Sequence, residues 1–384
     1  QEKENNLQKH IEELEEKVNL SSEEIILLEN EKQELIKIRD FRMKGVLLRS
    51  RARWVDDGEK VSAYFCALEK RNYVNKCMNK LILNDGFELL NKDDIRCEVK
   101  RFYEQLYTEK KVEECDIFDL VDTLPVLSVK EADELEGDIT LKEASYVLKN
   151  MCNGKSPGSD GFPAEFFKVF WQQLGIFVVR SLNDGFRRGE LSNTQKEGII
   201  ICIPKPDRSR DHLKNWRPIS LLNVVYKIGS ACIANRIKTV LPSLINEDQT
   251  GFIRNRFIGD NVRLIYDVIQ TLSTLNEPGL LICCDFEKAF DSLDWSFLHK
   301  TLQAFGFGQG VCQWVHTFYC NIKSAVSVNG SVSNWFTVTR GCRQGDPISS
   351  YLFVLCVEIL GIMIRENSQI KGINLGGVEH KISQ

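Results

Sequence analysis

The sequence predicts an α+β fold, and three observations carry that prediction. Apolar residues recur at helical spacing in long blocks, at the N-terminus, over Trp171–Arg188 and in the run after GDPISS. Short β-branched or alternating runs lie between them, such as Ile199–Ile203 and AVSV before Asn329. Asp85-Gly86 and Asn329-Gly330 sit inside such runs as hairpin turns require. No apolar run reaches the roughly 18 residues of a membrane span, and no charged-then-apolar leader opens the chain. The first residue is Gln, which reads as an internal piece of a longer protein. At 384 residues that piece holds two or three domains.

Residues 1–45 read as a helical arm. Leu7, Ile11, Leu14, Val18, Ile25, Leu28 and Leu35 follow a/d spacing, interrupted by Ser21 and Lys32. Ser21-Ser22-Glu23-Glu24 fits a capping box. The arm is therefore either one helix of a coiled coil or two helices folded back, and it offers a self-association surface over residues 1–40. Residues 46–110 are a linker in which Arg49, Arg51 and Arg53 alternate with Trp54 and further aromatics, ending in the Asp85-Gly86 hairpin and a helix over 93–108. Cations for phosphate and rings for stacking are what a single-stranded RNA binder needs. A helix with an aromatic core face is the plainer reading. Residues 111–186 hold an acidic connector, a helix from Asp138 to Met151 capped by Thr140, and NGKSPGSDGFPAEFFK. The pattern GxxxxGK[ST] is absent there, which excludes a phosphate-cradling P-loop.

Charge is uneven. Residues 1–40 carry 6 Lys/Arg against 12 Asp/Glu, and 112–143 carry 2 against 11. Residues 41–80 carry 10 against 4, and 196–238 carry 9 against 3. The overall charge of −4 thus hides two basic segments on which a phosphate backbone could lie; solvated helix faces are the alternative. The 13 cysteines form no CxxC pair, which argues against zinc and disulfide frameworks and fits a reducing compartment, nucleus or cytoplasm.

The chemistry concentrates in residues 187–384. Ile199–Ile203 is a strand ended by Pro204, with Lys205 just after it. Arg217 follows a basic loop and leads toward a helix carrying Lys227, Arg236 and Lys238. Lys and Arg on such a strand–loop–strand unit can close over a triphosphate. INEDQTGFIRNR adds Arg254 and Arg256. LICCDFEKAFDSLDW reads as a buried strand, Leu281–Cys284, delivering Asp285 at its end, with Phe290 five residues on and a helix from Ser296 to Phe305 behind it. A carboxylate there suits a hard divalent metal that must also reach substrate phosphates. GCRQGDPISSYLF is a Gly-rich loop before a long apolar helix. Gln344 sits among the loop glycines, and Gly341 and Gly345 would let the backbone approach substrate.

These strings, IPKPD, NWRPISLLNVVYKI, ANRI, EDQTGFIRNR, DFEKAFDSLDW and GCRQGDPISSYLF, follow one another over nearly half the chain. In that order they resemble the reverse transcriptase domain of a non-LTR (LINE-type) retrotransposon. SRARWVDDGEK and YFCALEKRN resemble the segment such proteins place before the polymerase, and this favours a LINE-type over a group II intron-type or telomerase-type relative. The resemblance implies right-hand polymerase architecture, fingers and a partial palm over 187–384, with 111–186 as an N-terminal extension. It implies an RNA-directed DNA polymerase that uses Mg2+, template RNA, primer DNA and dNTPs. Asp285 would ligate metal with the carbonyl of Phe286. Phe290 would be the steric gate against a ribose 2′-OH. Lys205 and Arg217 would hold the dNTP phosphates, and Gln344 and Gly345 would line the nucleotide pocket. Plainer readings stand beside these: Asp285 as a helix cap, Phe290 as core, Asp291 and Asp294 as first-turn helix acids, Arg217 as a loop anchor, Lys205 as a solvated turn residue and Gln344 as a cap on its own loop.

Such polymerases carry two adjacent aspartates on a hairpin after the long helix. None follows it here; Asp56-Asp57 and Asp93-Asp94 lie far upstream. The Mg2+ site is therefore expected only in a complete palm, and the isolated 384 residues are expected not to polymerise. The antiparallel palm sheet is expected to lack one hairpin and to expose apolar surface, which predicts poor solubility. The alternatives in function are a non-catalytic nucleic-acid-binding relic and an assembly protein using the arm.

Overall fold

A computed structural model describes residues 2–15, 17, 21–50, 77–110, 123–276, 278–375 and 378–381. Two compact units divide the chain, residues 1–77 and 78–384. In the first, α1 (Glu2–Glu15) and α2 (Ser22–Ser50) pack on each other as a helical hairpin. Ile11, Leu14 and Leu35 are buried, and His10–Glu31 (2.8 Å) and Lys32–Glu15 (2.5 Å) pair across it. The capping box forms: Glu24 N donates to Ser21 Oγ (3.3 Å) and Ser21 N to Glu24 Oε2 (2.9 Å). Lys17 completes this cap and, with Ser21, pulls the exposed Glu24 carboxyl down to about 2. Most of the basic-aromatic linker, 51–76, lies outside the described residues.

The second unit opens with β1 (Leu81–Ile82) and β2 (Glu88–Leu89), paired around Asp85-Gly86. Helix α3 (Lys92–Leu106) follows, burying Ile95, Val99 and Tyr103. Helices α4 (Val129–Glu134) and α5 (Leu141–Asn150) each start on a capping box, Ser128/Glu131 and Thr140/Glu143. Then come α6 (Ala164–Val169), α7 (Trp171–Arg188), α8 (Asn193–Lys196), α9 (Val224–Leu244), α10 (Ile258–Leu275), α11 (Trp295–Ala304), α12 (Gln309–Tyr319) and α13 (Ser349–Glu366). The principal sheet is built from β3 (Glu197–Pro204), β4 (Trp216–Leu222), β5 (Lys323–Val328), β6 (Ser331–Val332) and β7 (Phe336–Thr337). A separate pair, β8 (Ile373–Leu375) and β9 (Val378–His380), follows α13.

The sheet runs β4-β3-β5-β6, with β7 also on β5. β3 and β4 are antiparallel, with Ile200 opposite Ser220. β3 and β5 are parallel, with Ile199 opposite Ala325. The sheet is thus mixed rather than antiparallel as expected, because β5 returns to β3 only after a long helical excursion, the connection a parallel neighbour requires. Around it α7, α9 and α12 pack through an aromatic ladder, Phe186 on Trp314 (4.4 Å between centroids) and Trp314 on Phe318 (5.6 Å), with Tyr226 edge-on to Phe318 (5.3 Å). Arg236 is an anchor: its guanidinium grips Glu143 Oε1 (2.7 Å) and the carbonyls of Leu135 (3.0 Å) and Gly137 (2.9 Å), tying α9 to the turn before α5.

One expected strand does not form. Leu281–Cys284 is unpaired, and Leu280, Leu281 and Ile282 are 82%, 57% and 71% exposed. A strand is held by a neighbour that takes its N–H and C=O groups, and no described strand lies against this tract. Helix α10 before it is equally bare: Ile258, Val262 and Tyr266 are exposed and Val268 alone is buried.

Candidate functional site

The β3–β4 hairpin carries the predicted cations. Ile203 lies opposite Arg217, and Lys205 N donates to Asn215 O (2.8 Å) just past the last pair. Strand alternation buries Trp216, Pro218, Ser220 and Leu222 and leaves Arg217 exposed. Lys205, two residues beyond Ile203 and just past the end of β3, is half-buried. A third cation, Lys288, joins Lys205. Its Nζ lies 5.6 Å from the Phe102 ring centroid. Burial lowers its pKa, the Lys205 charge lowers it further, and Asp291 opposes the shift. The sequence reading missed Lys288, although a cation within DFEKAFD was the available signal.

The loop from Gly341 to Asp346 is pinned from two sides. Gly341 N donates to Leu293 O (2.7 Å), Cys342 N to Phe290 O (2.6 Å), and Trp295 Nε1 to Gly341 O (3.0 Å). On the other side Ser220 N donates to Gln344 O (2.7 Å), fixing the loop to β4. Gly341 (φ 86°) and Gly345 (φ 111°) occupy left-handed backbone. A Cβ at Gly341 would stand 2.5 Å from Asp291 O, and one at Gly345 2.8 Å from Ser220 O. The expected close approach is therefore to the protein's own backbone.

Beneath the loop lies a polar core that sequence reasoning did not find. Asp346 accepts from Tyr226 Oη (2.7 Å) and from Ser230 Oγ. The Arg343 guanidinium, 1% exposed, stacks 4.4 Å from the centroid of Tyr226 and donates from Nη1 to Lys196 O (3.0 Å). Among the described residues its Nε and Nη2 have no hydrogen-bond partner. The signal was RQGD itself: two opposite charges in a loop leading straight into an apolar helix.

Asp291 is a first-turn acid, as expected, but of a short 3-10 helix and turned inward. It sits in a 3-10 turn, Phe290–Ser292, and is fully buried. Tyr107 Oη donates to its Oδ1 (2.6 Å) and Gln344 Nε2 to its Oδ2 (3.0 Å). Burial raises its pKa to about 6, with Tyr107, Lys288 and Gln344 pulling the other way. Gln344 therefore caps Asp291 rather than its own loop. Asp294 caps α11, accepting from Phe297 N (2.9 Å).

Asp285 and Phe286 lie in the exposed tract. The Phe290 ring is partly buried and stacks on Phe353 of α13 (4.6 Å), edge-on to Phe252 (6.5 Å); Phe286 meets Phe353 edge-on (6.4 Å). Among the described residues no group of three His, Cys, Asp or Glu could hold a metal ion. A lone carboxylate does not fit a magnesium pair. Of the predicted nucleic-acid contacts, Arg254 is exposed. Arg256 is turned inward, donating to the carbonyls of Asn246, Gln249 (2.8 Å) and Ile245 (2.9 Å). Arg51, Arg53 and Trp54 and the side chain of Arg49 lie outside the described residues. No helix among the described residues is long and apolar enough to cross a membrane.

Residues 203–376, which contain the β3–β4 cations, the Asp285 tract and the pinned loop, match the model of the reverse transcriptase (RNA-dependent DNA polymerase) family. The chain is 35% identical over 335 residues to the Transposon TX1 uncharacterized 149 kDa protein of Xenopus laevis, covering 87% of this chain and 26% of that protein. It is 29% identical over 207 residues to the Pol polyprotein of the retrotransposable element R2DM of Drosophila melanogaster, covering 53% and 19%. It is 25% identical over 220 residues to the probable RNA-directed DNA polymerase from transposon X-element of the same fly, covering 56% and 24%. The chain thus spans about a quarter or less of the length of these relatives. It carries a reverse transcriptase domain. Within that class it belongs to the non-LTR retrotransposon proteins.

Proposed function

We propose that this chain supplies the nucleotide-binding and template-directing part of an RNA-directed DNA polymerase, which copies element RNA onto a DNA primer. The observation that carries the reading is the tie between Ser220 N and Gln344 O (2.7 Å), which joins the cation-bearing hairpin to the Gly-rich loop in one rigid unit. On this reading the sheet and its helices are the palm and fingers of a right hand. Lys205 and Arg217 neutralise the dNTP triphosphate. Lys288, beside Lys205, adds a third charge. Gln344 and Gly345 line the nucleotide pocket. Phe290, braced by Phe353, takes the space of a ribose 2′-OH. Template RNA lies along the basic segments.

Reverse transcriptases use divalent metal ions, and Asp285 is the metal ligand this chain offers, with the Phe286 carbonyl beside it. One carboxylate is short of what such a site needs. Binding and orientation are therefore assigned to these residues, and turnover to the full-length protein. The test is Asp285→Asn in the full-length protein, read as primer extension on RNA. Removing a residue that hydrogen-bonds a metal ligand costs about 10- to 100-fold, so loss of a direct ligand should exceed that. Unimpaired synthesis would sink the assignment.

A further inference from the structure

We propose that Asp291 and Tyr107 are positioning residues that fix the orientation of the Gln344 amide, and that α3 thereby belongs to the nucleotide pocket. The inference rests on the reading of Gln344 as a pocket residue. It concerns what holds that residue, and through Tyr107 it extends the site outside the matched region 203–376.

Three observations meet here. Both oxygens of the buried Asp291 carboxylate are taken, Oδ1 by Tyr107 Oη (2.6 Å) and Oδ2 by Gln344 Nε2 (3.0 Å). An ionised carboxylate only accepts hydrogen bonds, so it dictates which end of the Gln344 amide turns toward it. The Nε2 end faces Asp291, leaving Oε1 and the second Nε2 hydrogen for a substrate edge. Tyr107 itself is held at both ends of the residue. Its ring is 2% exposed. Its carbonyl accepts from Thr339 N (2.9 Å) and Arg340 N (3.2 Å), and the neighbouring Leu106 carbonyl accepts from Arg340 Nε (2.7 Å). The end of α3 is thus clamped to the strand-to-loop passage that begins the Gly-rich loop. A two-bond relay runs from α3 through Asp291 to Gln344, and it needs no contact between Tyr107 or Asp291 and the substrate.

A relay makes a specific kinetic demand. Losing Tyr107 or Asp291 should loosen Gln344 and raise the dNTP KM while kcat moves little. A purely structural pair would lower thermal stability and leave KM alone. The experiment is a double-mutant cycle in the full-length protein on a primed RNA template. Gln344→Ala should raise the dNTP KM about tenfold. Tyr107→Phe, which keeps the ring in the core, should raise it about threefold to tenfold, the size of one lost hydrogen bond. Asp291→Ala should match Gln344→Ala, and the double variant should be no worse than either single one. Additive effects of Asp291→Ala and Gln344→Ala, or an unchanged KM in Tyr107→Phe, overturn the relay. Tyr107→Phe decides the matter alone if Asp291→Ala does not fold. An unchanged KM in Gln344→Ala itself overturns the pocket reading instead, so the two failures are distinguishable.

Discussion

Asp285 and Asp291 stand six residues apart in one motif and meet opposite fates. Asp285 is exposed in an extended tract with no described strand beside it. Asp291 is fully buried, with both oxygens bonded and its pKa raised to about 6. Residue type does not separate them. What separates them is whether partners from distant sequence are in place. Asp291 finds Tyr107, 184 residues away, and Gln344, 53 away. A strand carrying Asp285 would need a neighbour, and no described strand takes that role. The carboxylate read from sequence as chemical is thus the unsupported one, while the one read as a helix acid organises the loop.

The most forceful way to break this contrast is at Gly341, whose left-handed backbone lies against Asp291. Gly341→Ala places a Cβ 2.5 Å from Asp291 O at φ 86°. Backbone strain and overlap together should cost about 4 kcal/mol. Equilibrium urea unfolding of the chain measures it. A cost under about 1 kcal/mol, the ordinary scale of surface changes, would mean that the loop does not press on Asp291 in solution.

A second test uses pH. The folded-state pKa of Asp291, about 6, lies above the ordinary aspartate value of 3.8. The folded state therefore binds this proton more tightly. The associated stability is fully present below about pH 4 and is lost as pH rises through 6. At about 1.4 kcal/mol per pKa unit, the contribution is about 3 kcal/mol at most. Asp291→Asn does not ionise and keeps the volume. Its stability relative to the unaltered chain should therefore improve as pH rises from 4 to 7.5. Parallel curves for the two proteins would show that Asp291 is not buried as described.

Most of the secondary structure was legible because its signals are local. The Ser21 and Thr140 caps each need only residues within a few positions of each other, and the two hairpin turns need only a dipeptide. The outward placement of Arg217 was legible for the same reason, since strand alternation alone sets its face. The rest depends on distant partners. Nothing near Asp291 announces Tyr107, and β5 lies parallel to β3 across more than a hundred residues. Leu281–Cys284 has the composition of a strand, but composition states a capacity to pair and not the presence of a partner.

The smallest expected effect sharpens that last point. Ile200 in β3 is 1% exposed and Ile282 is 71% exposed. Both are β-branched residues within apolar runs, so sequence gives them equal standing as strand residues. Truncating a buried Ile to Ala costs about 2–5 kcal/mol through lost transfer energy and the cavity left behind. Truncating one already in water removes little and should stay within about 0.5 kcal/mol. Ile200→Ala should therefore shift the urea midpoint clearly, and Ile282→Ala should barely move it. If Ile282→Ala costs more than about 1.5 kcal/mol, the tract is packed in solution and Asp285 stands on a formed strand. If the cost is negligible in this chain yet large in the full-length protein, the difference measures what a strand partner contributes to holding Asp285.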